Sequence, residues 1–395
     1  MKAFHIFDAE IVEPGKRIQM GDILVQDGRI ACFGSPGTIL GDVPRINGRG
    51  RLLTPGLVDI HTHGILNFKY ERGAGDLKNA AASLARFGVT TVLPTIVPPD
   101  LSGPGAKDAW LRHLASTVAA LDEVTGIHMP GLHLEGPFLA ITGATAATMD
   151  GEVRLLHEIL RAGGGRIAAM SVSPETRDIL PVIRALREQN IVVFLTHTRA
   201  SVDQTLAALD AGARHATHFY DVFYSPPETD PGVRPVGIVE TMLADPRATV
   251  DFIADGVHVH PMAIRAAVAA KTWAGVTLIT DSNIGAGLPP GVYDTPWGYA
   301  VRVSPETGAR HITKNTLSGS ALTMNRGIAN LLRWLALPPE QTWAMGTLNP
   351  CRLLGLKGRG TIERGAVADL VLWESDLVPA MTWSEGTCVY QKEEA

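Results

Sequence analysis

Between residues 54 and 350 the chain alternates two patterns. Short apolar runs recur at Leu57–His61, Val89–Thr95, Gly131–Leu134, Arg166–Val172, Ile191–Thr196, His215–His218, Thr249–Ile253 and Val276–Thr280. Helically spaced segments separate most of them: Leu77–Phe87, Ala106–Leu121, Gly151–Ala162, Ile179–Gln189, Ser201–Ala211 and Pro261–Ala270. Strands apolar on both faces predict a parallel sheet covered by helices. Eight strand–helix units predict an α/β chain folded as a TIM (β/α)8-barrel. Further helices are predicted over Thr323–Leu335 and Pro339–Cys351. Gly285 to Gly291 reads as a flexible loop and not as a phosphate loop, since it lacks the Gly-Lys-Ser/Thr ending and no regular helix follows it.

The two ends of the chain are patterned differently. Ala3–Phe7, Ile23–Val25, Arg29–Phe33 and Arg51–Leu53 are short β-type runs punctuated by Pro14-Gly15, Asp27-Gly28 and Gly48-Arg49-Gly50. Asp27-Gly28 between apolar runs is a hairpin signal. Gly360–Ile362, Ala368–Trp373 and Thr387–Tyr390 continue the pattern at the other end. Residues 1–53 plus 355–395 are therefore expected to form one small β-sandwich domain, and 54–354 the barrel.

Composition narrows the function. Hydrophobic residues make up 45% and charged residues 19% of 395, as in a soluble globular enzyme. The net charge is −5 and no basic tract occurs, which argues against nucleic acid and anionic membranes as partners. Cys32, Cys351 and Cys388 lie far apart, so a reducing, cytoplasmic setting is expected. The N-terminus shows no signal-peptide pattern, and no apolar run is long enough to span a bilayer.

In a barrel of this kind the active site forms where the strands end. His61 and His63 end the first run, and strand alternation points both side chains the same way. Glu135 ends the third, His197 the fifth, His218 the sixth and Asp281 the eighth. Four imidazoles and two carboxylates on one rim suit a divalent metal. Zn²⁺ is the first choice, and Fe²⁺, Mn²⁺ or Co²⁺ are the alternatives. Such a site lowers the pKa of bound water to about 7, and a neighbouring carboxylate can take its proton. His133 reads as a support of the site, His215 as structural, and His260 as a residue that could reach the site or a partner subunit. His5, His113, His128, His157 and His311 read as surface or core, and Ser318-Gly319-Ser320 as packing or pocket wall.

These stretches resemble the amidohydrolase superfamily and, within it, the N-acetylglucosamine-6-phosphate deacetylases. The resemblance covers the whole chain. It rests on Pro55–Gly64, Gly131–Phe138, Ser173-Pro174-Glu175, Ala216-Thr217-His218, Ala254–Val259, Thr280-Asp281 and Thr316–Met324. It implies that Glu135, His197 and His218 hold one metal. His61 and His63 would hold a second, with Glu135 bridging, so one or two ions are expected. It implies that metal-bound hydroxide attacks an amide carbonyl and that Asp281 shuttles the proton. His258 would orient the substrate. It also implies a homodimer.

The departures fall on the substrate side. Where the family has an Asn that contacts the sugar phosphate, this chain has Asp221. At about 4 Å and an effective dielectric near 20, that charge costs on the order of 4 kcal/mol per phosphate charge. A family histidine past the Glu-Gly-Pro-Phe block is replaced by Gly143-Ala144-Thr145, which brings Thr145 in as a candidate substrate contact. Arg234 is the nearest candidate for the phosphate-binding arginine, out of register. The expected activity is metal-dependent removal of an acetyl or other acyl group from an amide nitrogen, with N-acetylglucosamine 6-phosphate as first substrate. The alternatives are an unphosphorylated or amine-bearing N-acyl compound, a cyclic amide, or a catalytically silent metal-binding relative.

Overall fold

The computed structural model describes residues 3–37, 42–143, 147–295, 298–304 and 306–393. The N-terminal segment forms β1 (Ala3–Glu13), β2 (Arg17–Gln26), β3 (Arg29–Gly34), β4 (Arg45–Asn47) and β5 (Leu52–Pro55). Asp27 and Gly28 both have positive φ (49° and 75°), the geometry of the tight hairpin that Asp-Gly favours between β2 and β3.

The barrel begins at β6 (Leu57–Thr62). A small hairpin follows, β7 (Gly64–Ile65) with β8 (Phe68–Lys69), and then α1 (Ala74–Leu84). The chain continues through β9 (Val89–Ile96), α2 (Ala106–Leu121), β10 (Leu132–Glu135), α3 (Val153–Ala162), β11 (Ile167–Val172), α4 (Ile179–Glu188), β12 (Val192–Leu195), α5 (Val202–Ala211) and β13 (His215–Ala216). It ends the barrel with α6 (Ile238–Ala244), β14 (Thr249–Ile253), α7 (Pro261–Lys271) and β15 (Val276–Ile279). The hydrogen-bonded order is β15-β14-β13-β12-β11-β10-β9-β6, parallel throughout. β6 and β15 meet across the remaining gap, where the Asp281 N–H donates to the His61 carbonyl at 2.9 Å.

Local sequence accounts for these elements. Every residue of β9 is buried, as a strand covered on both faces requires. α3 buries Leu155, Leu156 and Ile159 along one stripe. α5 opens with a capping box. Ser201 Oγ accepts from the Gln204 N–H at 3.2 Å, and Gln204 Oε1 accepts from the Ser201 N–H at 2.9 Å.

After β15 residues 285–290 form turns and bends with no helix or strand, in keeping with a loop. It leads into a three-stranded antiparallel sheet of β16 (Gly291–Asp294), β17 (Ala300–Ser304) and β18 (Gly308–His311). Its small cluster of Val301, Val303 and Ala309 supports one wall of the central cavity. The short α6 also lies in a stretch without a clear periodic signal. α8 (Met324–Trp334), α9 (Pro339–Met345) and α10 (Leu348–Leu353) follow.

The C-terminal strands are β19 (Leu370–Trp373), β20 (Pro379–Ser384) and β21 (Thr387–Gln391); Gly360–Ile362 is not one of them. They join the N-terminal strands in one sheet, ordered β21-β20-β19-β5-β1-β2-β3, with β4 on β1. The sheet curls over its own apolar cluster, which includes Phe4, Ile23, Ile30, Leu370 and Trp383. Phe4 stacks on Trp383 at 5.6 Å, and the Gly28 turn meets the Glu385-Gly386 turn. No described helix is long and apolar enough to cross a membrane.

Candidate metal centre and active site

Glu135, at the end of β10, divides its two carboxylate oxygens between two pairs of histidines. Oε1 lies 3.0 Å from His197 Nε2 and 3.0 Å from His218 Nε2. Oε2 lies 3.4 Å from His63 Nε2 and 3.8 Å from His61 Nε2. His61, His63 and Glu135 form one candidate metal-ligand set, and Glu135, His197 and His218 the other. Asp281 faces the first set: Oδ1 is 3.2 Å from His63 Nε2 and 3.7 Å from His61 Nε2.

Backbone geometry brings these groups inward. His197, His218 and Asp281 have left-handed φ of 49°, 37° and 46°, unusual for residues with a Cβ. Such strain persists only where the surroundings impose it. For His218 the surroundings are Asp251, whose Oδ1 accepts the His218 N–H at 2.5 Å and whose Oδ2 lies 2.8 Å from His215 Nε2. For Asp281 they are Thr280 and Ser320. The Ser320 N–H donates to the Asp281 carbonyl at 2.8 Å, and the Thr280 hydroxyl donates to the buried Asp59. For His197 the tight neighbour is Gly143, where a Cβ would stand 2.3 Å from His197 Cε1.

The donor set fits a divalent cation. His61 is fully buried, yet its Nε2 has no hydrogen-bond partner, and that atom faces the carboxylates. Its Nδ1 pairs with Thr217 Oγ1 at 2.9 Å, which fixes the ring. Burial pushes His61 well below the usual imidazole range, leaving it neutral as a ligand must be. Burial also pushes His218 down, but the Glu135 hydrogen bond and charge overcome this and lift it to about 10. Glu135 behaves reciprocally. Burial raises its pKa, yet hydrogen bonds to His197 and His218 hold it well below the usual carboxylate range. Without a cation, a proton on His218 balances Glu135, and a cation would displace it.

A cavity of about 580 Å³ opens above this centre, lined by residues including His63, Lys69, Glu135, Asp221, His258 and Asp281. Asp255 Oδ2 lies 2.7 Å from His258 Nδ1 and raises its pKa against the effect of burial. That contact leaves Nε2 for the cavity. Asp221 adds a carboxylate beside His218 and His258, and its charge raises both. Arg234 is not among the described lining residues. Its side chain is 77% exposed and paired with Glu240. Thr145 lies outside the described residues.

The remaining histidines sort by contact. His133 packs edge-on against His61 at 4.7 Å, and its Nε2 lies 2.7 Å from Ser171 Oγ, as a supporting role requires. His260 caps α7 through its Nδ1. His311, which reads as surface or core from the chain alone, lines the cavity and stacks on Tyr299 at 4.2 Å. Three further residues carry no sequence signal that singles them out: Lys69, Asp59 and Asp251. Each is a buried charge whose partner is distant in the chain or lies on a turn that only the fold defines.

The Amidohydrolase family profile matches residues 52–389. The chain is 32% identical over 345 residues to N-acetylglucosamine-6-phosphate deacetylase of Vibrio furnissii, covering 86% of this chain and 83% of that protein. It is 32% identical over 342 residues to N-acetylgalactosamine-6-phosphate deacetylase of Escherichia coli, covering 85% and 87%. Among solved structures, N-acetyl-D-glucosamine-6-phosphate deacetylase from Mycobacterium smegmatis overlays with a TM-score of 0.85 at 27% identity, covering 99% of this chain and 100% of that one. With the profile match, the whole-chain overlay and the strand-end histidines and carboxylates in agreement, this chain belongs to the amidohydrolase family.

Proposed function

We propose that this chain is a metal-dependent deacylase that hydrolyses the amide of an N-acyl amino sugar, with N-acetylglucosamine 6-phosphate as the first substrate to test. The observation that carries the reading is Glu135 shared between two histidine pairs, with Asp281 Oδ1 3.2 Å from His63 Nε2. His61, His63, Glu135, His197 and His218 are the proposed ligands for one or two cations, Zn²⁺ first. Such a cation supplies Lewis acidity and a water of lowered pKa.

The chain's own groups do the rest. Asp281 accepts a proton from the attacking water as its oxygen bonds to the acyl carbon. It returns that proton to the nitrogen as the C–N bond breaks, which leaves a carboxylate and a free amine. His258, held by Asp255, donates from Nε2 to substrate oxygen and orients it. We further propose that 1–53 plus 355–395 act as a small β domain beside the 54–354 hydrolase barrel, supported by their separate apolar cluster. A cytoplasmic homodimer is the proposed working unit. The free thiols Cys32, Cys351 and Cys388 support the compartment, the family resemblance supports the dimer, and light scattering tests the latter.

The second reading is an N-acyl substrate without phosphate, or one carrying an amine. Asp221 favours it, because its carboxylate lines the cavity. Turnover of N-acetylglucosamine, its 6-phosphate and N-acetylgalactosamine 6-phosphate by the metal-loaded protein separates the two. Asp281→Asn should keep metal and lower kcat by about 10²- to 10⁴-fold. A variant with near wild-type rate would refute the mechanism.

A further inference from the structure

The sheet that follows the last barrel strand builds one wall of the cavity, and its second turn carries two nitrogen donors. β17 and β18 pair with Val301 opposite His311. The chain then turns back at once. The His311 N–H donates to the Thr316 carbonyl at 2.9 Å, and the Asn315 N–H donates to the His311 carbonyl at 2.9 Å. Inside this turn His311 Nδ1 accepts the Thr313 N–H at 3.2 Å and the Lys314 N–H at 3.3 Å. The ring stacks on Tyr299 at 4.2 Å with planes 18° apart, and the Tyr299 hydroxyl lies 3.2 Å from Ser318 Oγ. Turn and stack together fix the plane of the imidazole.

An accepting Nδ1 places the ring proton on Nε2. A turn of this kind needs only the acceptor, which Asn or Asp supplies as well. An imidazole adds a second nitrogen, and here it does so on a ring that lines the cavity. Among the described residues no group engages that nitrogen or the Lys314 ammonium. Lys314 is on the lining too, exposed at the rim, whereas Glu135 and Asp281 are buried below. The positions that read as phosphate contacts from the chain do not serve. Asp221 puts a carboxylate on the lining, and Arg234 is 77% exposed and paired with Glu240. Asp221 follows β13, the sixth barrel strand, whereas the His311 turn comes after β15, the eighth. An anion beside Asp221 meets a like charge, and one beside His311 meets donors.

We propose that the turn after β18 is the phosphate subsite of this enzyme. His311 Nε2–H and the Lys314 ammonium take the anionic oxygens of a phosphate on the amine side of the substrate. The subsite rests on the deacylase reading above. Its place at the rim suits a dianion, which keeps part of its hydration there while the amide reaches the buried carboxylates.

The zinc-loaded wild type is assayed on N-acetylglucosamine, on its 6-phosphate and on N-succinylglucosamine, which carries its anion on the acyl side. The 6-phosphate should exceed the other two in kcat/KM by about tenfold or more, the scale of one charge-assisted hydrogen bond. Lys314→Met should lower that preference by about fivefold or more. His311→Asn, which keeps an acceptor for the turn, should do the same. Lys357→Met removes an exposed lysine away from the cavity and should leave the preference within about threefold of wild type. The proposal is overturned if wild type does not prefer the 6-phosphate, if Lys314→Met and His311→Asn slow all three compounds equally, or if Lys357→Met also erases the preference. Should none of the compounds be hydrolysed, the deacylase reading fails and calorimetry decides this one. The intact 6-phosphate should bind the zinc-loaded wild type at least about fivefold more tightly than Lys314→Met. Equal affinity, or no binding to either protein, sinks it.

Discussion

Asp59 and Thr280 join the first and last strands of the barrel: the Thr280 hydroxyl donates to Asp59 Oδ2 at 2.5 Å, and the Thr280 N–H donates to Oδ1 at 3.3 Å. The contact matters because the two residues sit beside chemistry on both sides of the seam. Asp59 also faces the His61 N–H, and Thr280 directly precedes Asp281. Burial pushes the Asp59 carboxyl up to about 7 despite these donors, so each lost donor is felt. Thr280→Val keeps the shape and removes the hydroxyl. It should cost about 1–3 kcal/mol of stability, the scale of a buried polar group left unpaired. It should also lower kcat, because Asp281 loses its anchored neighbour. Urea unfolding with steady-state kinetics reads both, and wild-type values for both would mean the seam is held elsewhere.

The sharing of Glu135 predicts an asymmetric response of metal content. Replacing His61 and His63 together by Ala removes one ligand pair and leaves Glu135, His197 and His218 intact. Metal per chain should fall without reaching zero. Glu135→Gln weakens both sets at once, since Oε1 serves one and Oε2 the other. It should lower metal content further than the double histidine variant does. Elemental analysis after dialysis against trace Zn²⁺ distinguishes the cases, and equal content in the two variants would contradict the shared-carboxylate geometry.

His215 and Asp251 predict a residue effect without substrate contact. Both are fully buried, 2.8 Å apart, and Asp251 Oδ1 receives the N–H of His218. His215→Phe leaves a buried carboxylate without its partner, a change that typically costs about 3–5 kcal/mol. His218 should then lose its left-handed backbone setting, and Zn²⁺ affinity should fall by about tenfold or more, as for other outer-shell partners. Replacing both members, His215→Phe with Asp251→Ala, should recover part of the stability and none of the affinity. Recovery of affinity in the double variant would show that the pair acts on stability alone.

The legible part of this protein is the part with a period. Strand runs ending in His61, His63, Glu135, His197, His218 and Asp281 mark both the barrel and its rim, since one alternation encodes apolar strand and polar end together. What the chain conceals lies across turns and seams. The β16–β18 wall follows a glycine- and proline-rich run that reads as loop, although Val301 and Val303 alternate inward once the strand is formed. The β7–β8 hairpin has only two residues per strand, too few for a pattern, so Lys69 stays hidden. Asp59 pairs with a threonine 221 residues away, and Asp251 with a histidine 36 residues away, separations that only closure of the barrel makes short. Arg234 reads as an anion ligand by its type, but the fold turns it outward onto Glu240.

His128 carries a pH dependence that is independent of the metal centre. It lies against the small sheet, where burial first, and then the charges of Arg359 and Arg166, push its pKa from about 6.5 down to about 4. The native state therefore keeps the ring neutral while the unfolded chain binds a proton between those two values. Stability rises with pH wherever the unfolded state binds more protons. His128 thus contributes stability fully above about 6.5, and that contribution is lost as pH falls towards about 4. The ring is partly exposed, so solvent screening makes the loss smaller than the shift alone implies. His128→Asn removes the titration and leaves the carboxylates and metal ligands that also respond to acid. Urea midpoints for the two proteins should differ by a constant amount above about pH 6.5 and draw together in the variant's favour down to about pH 4. Parallel profiles across that window would show that the ring takes up its proton equally in the folded and unfolded chain.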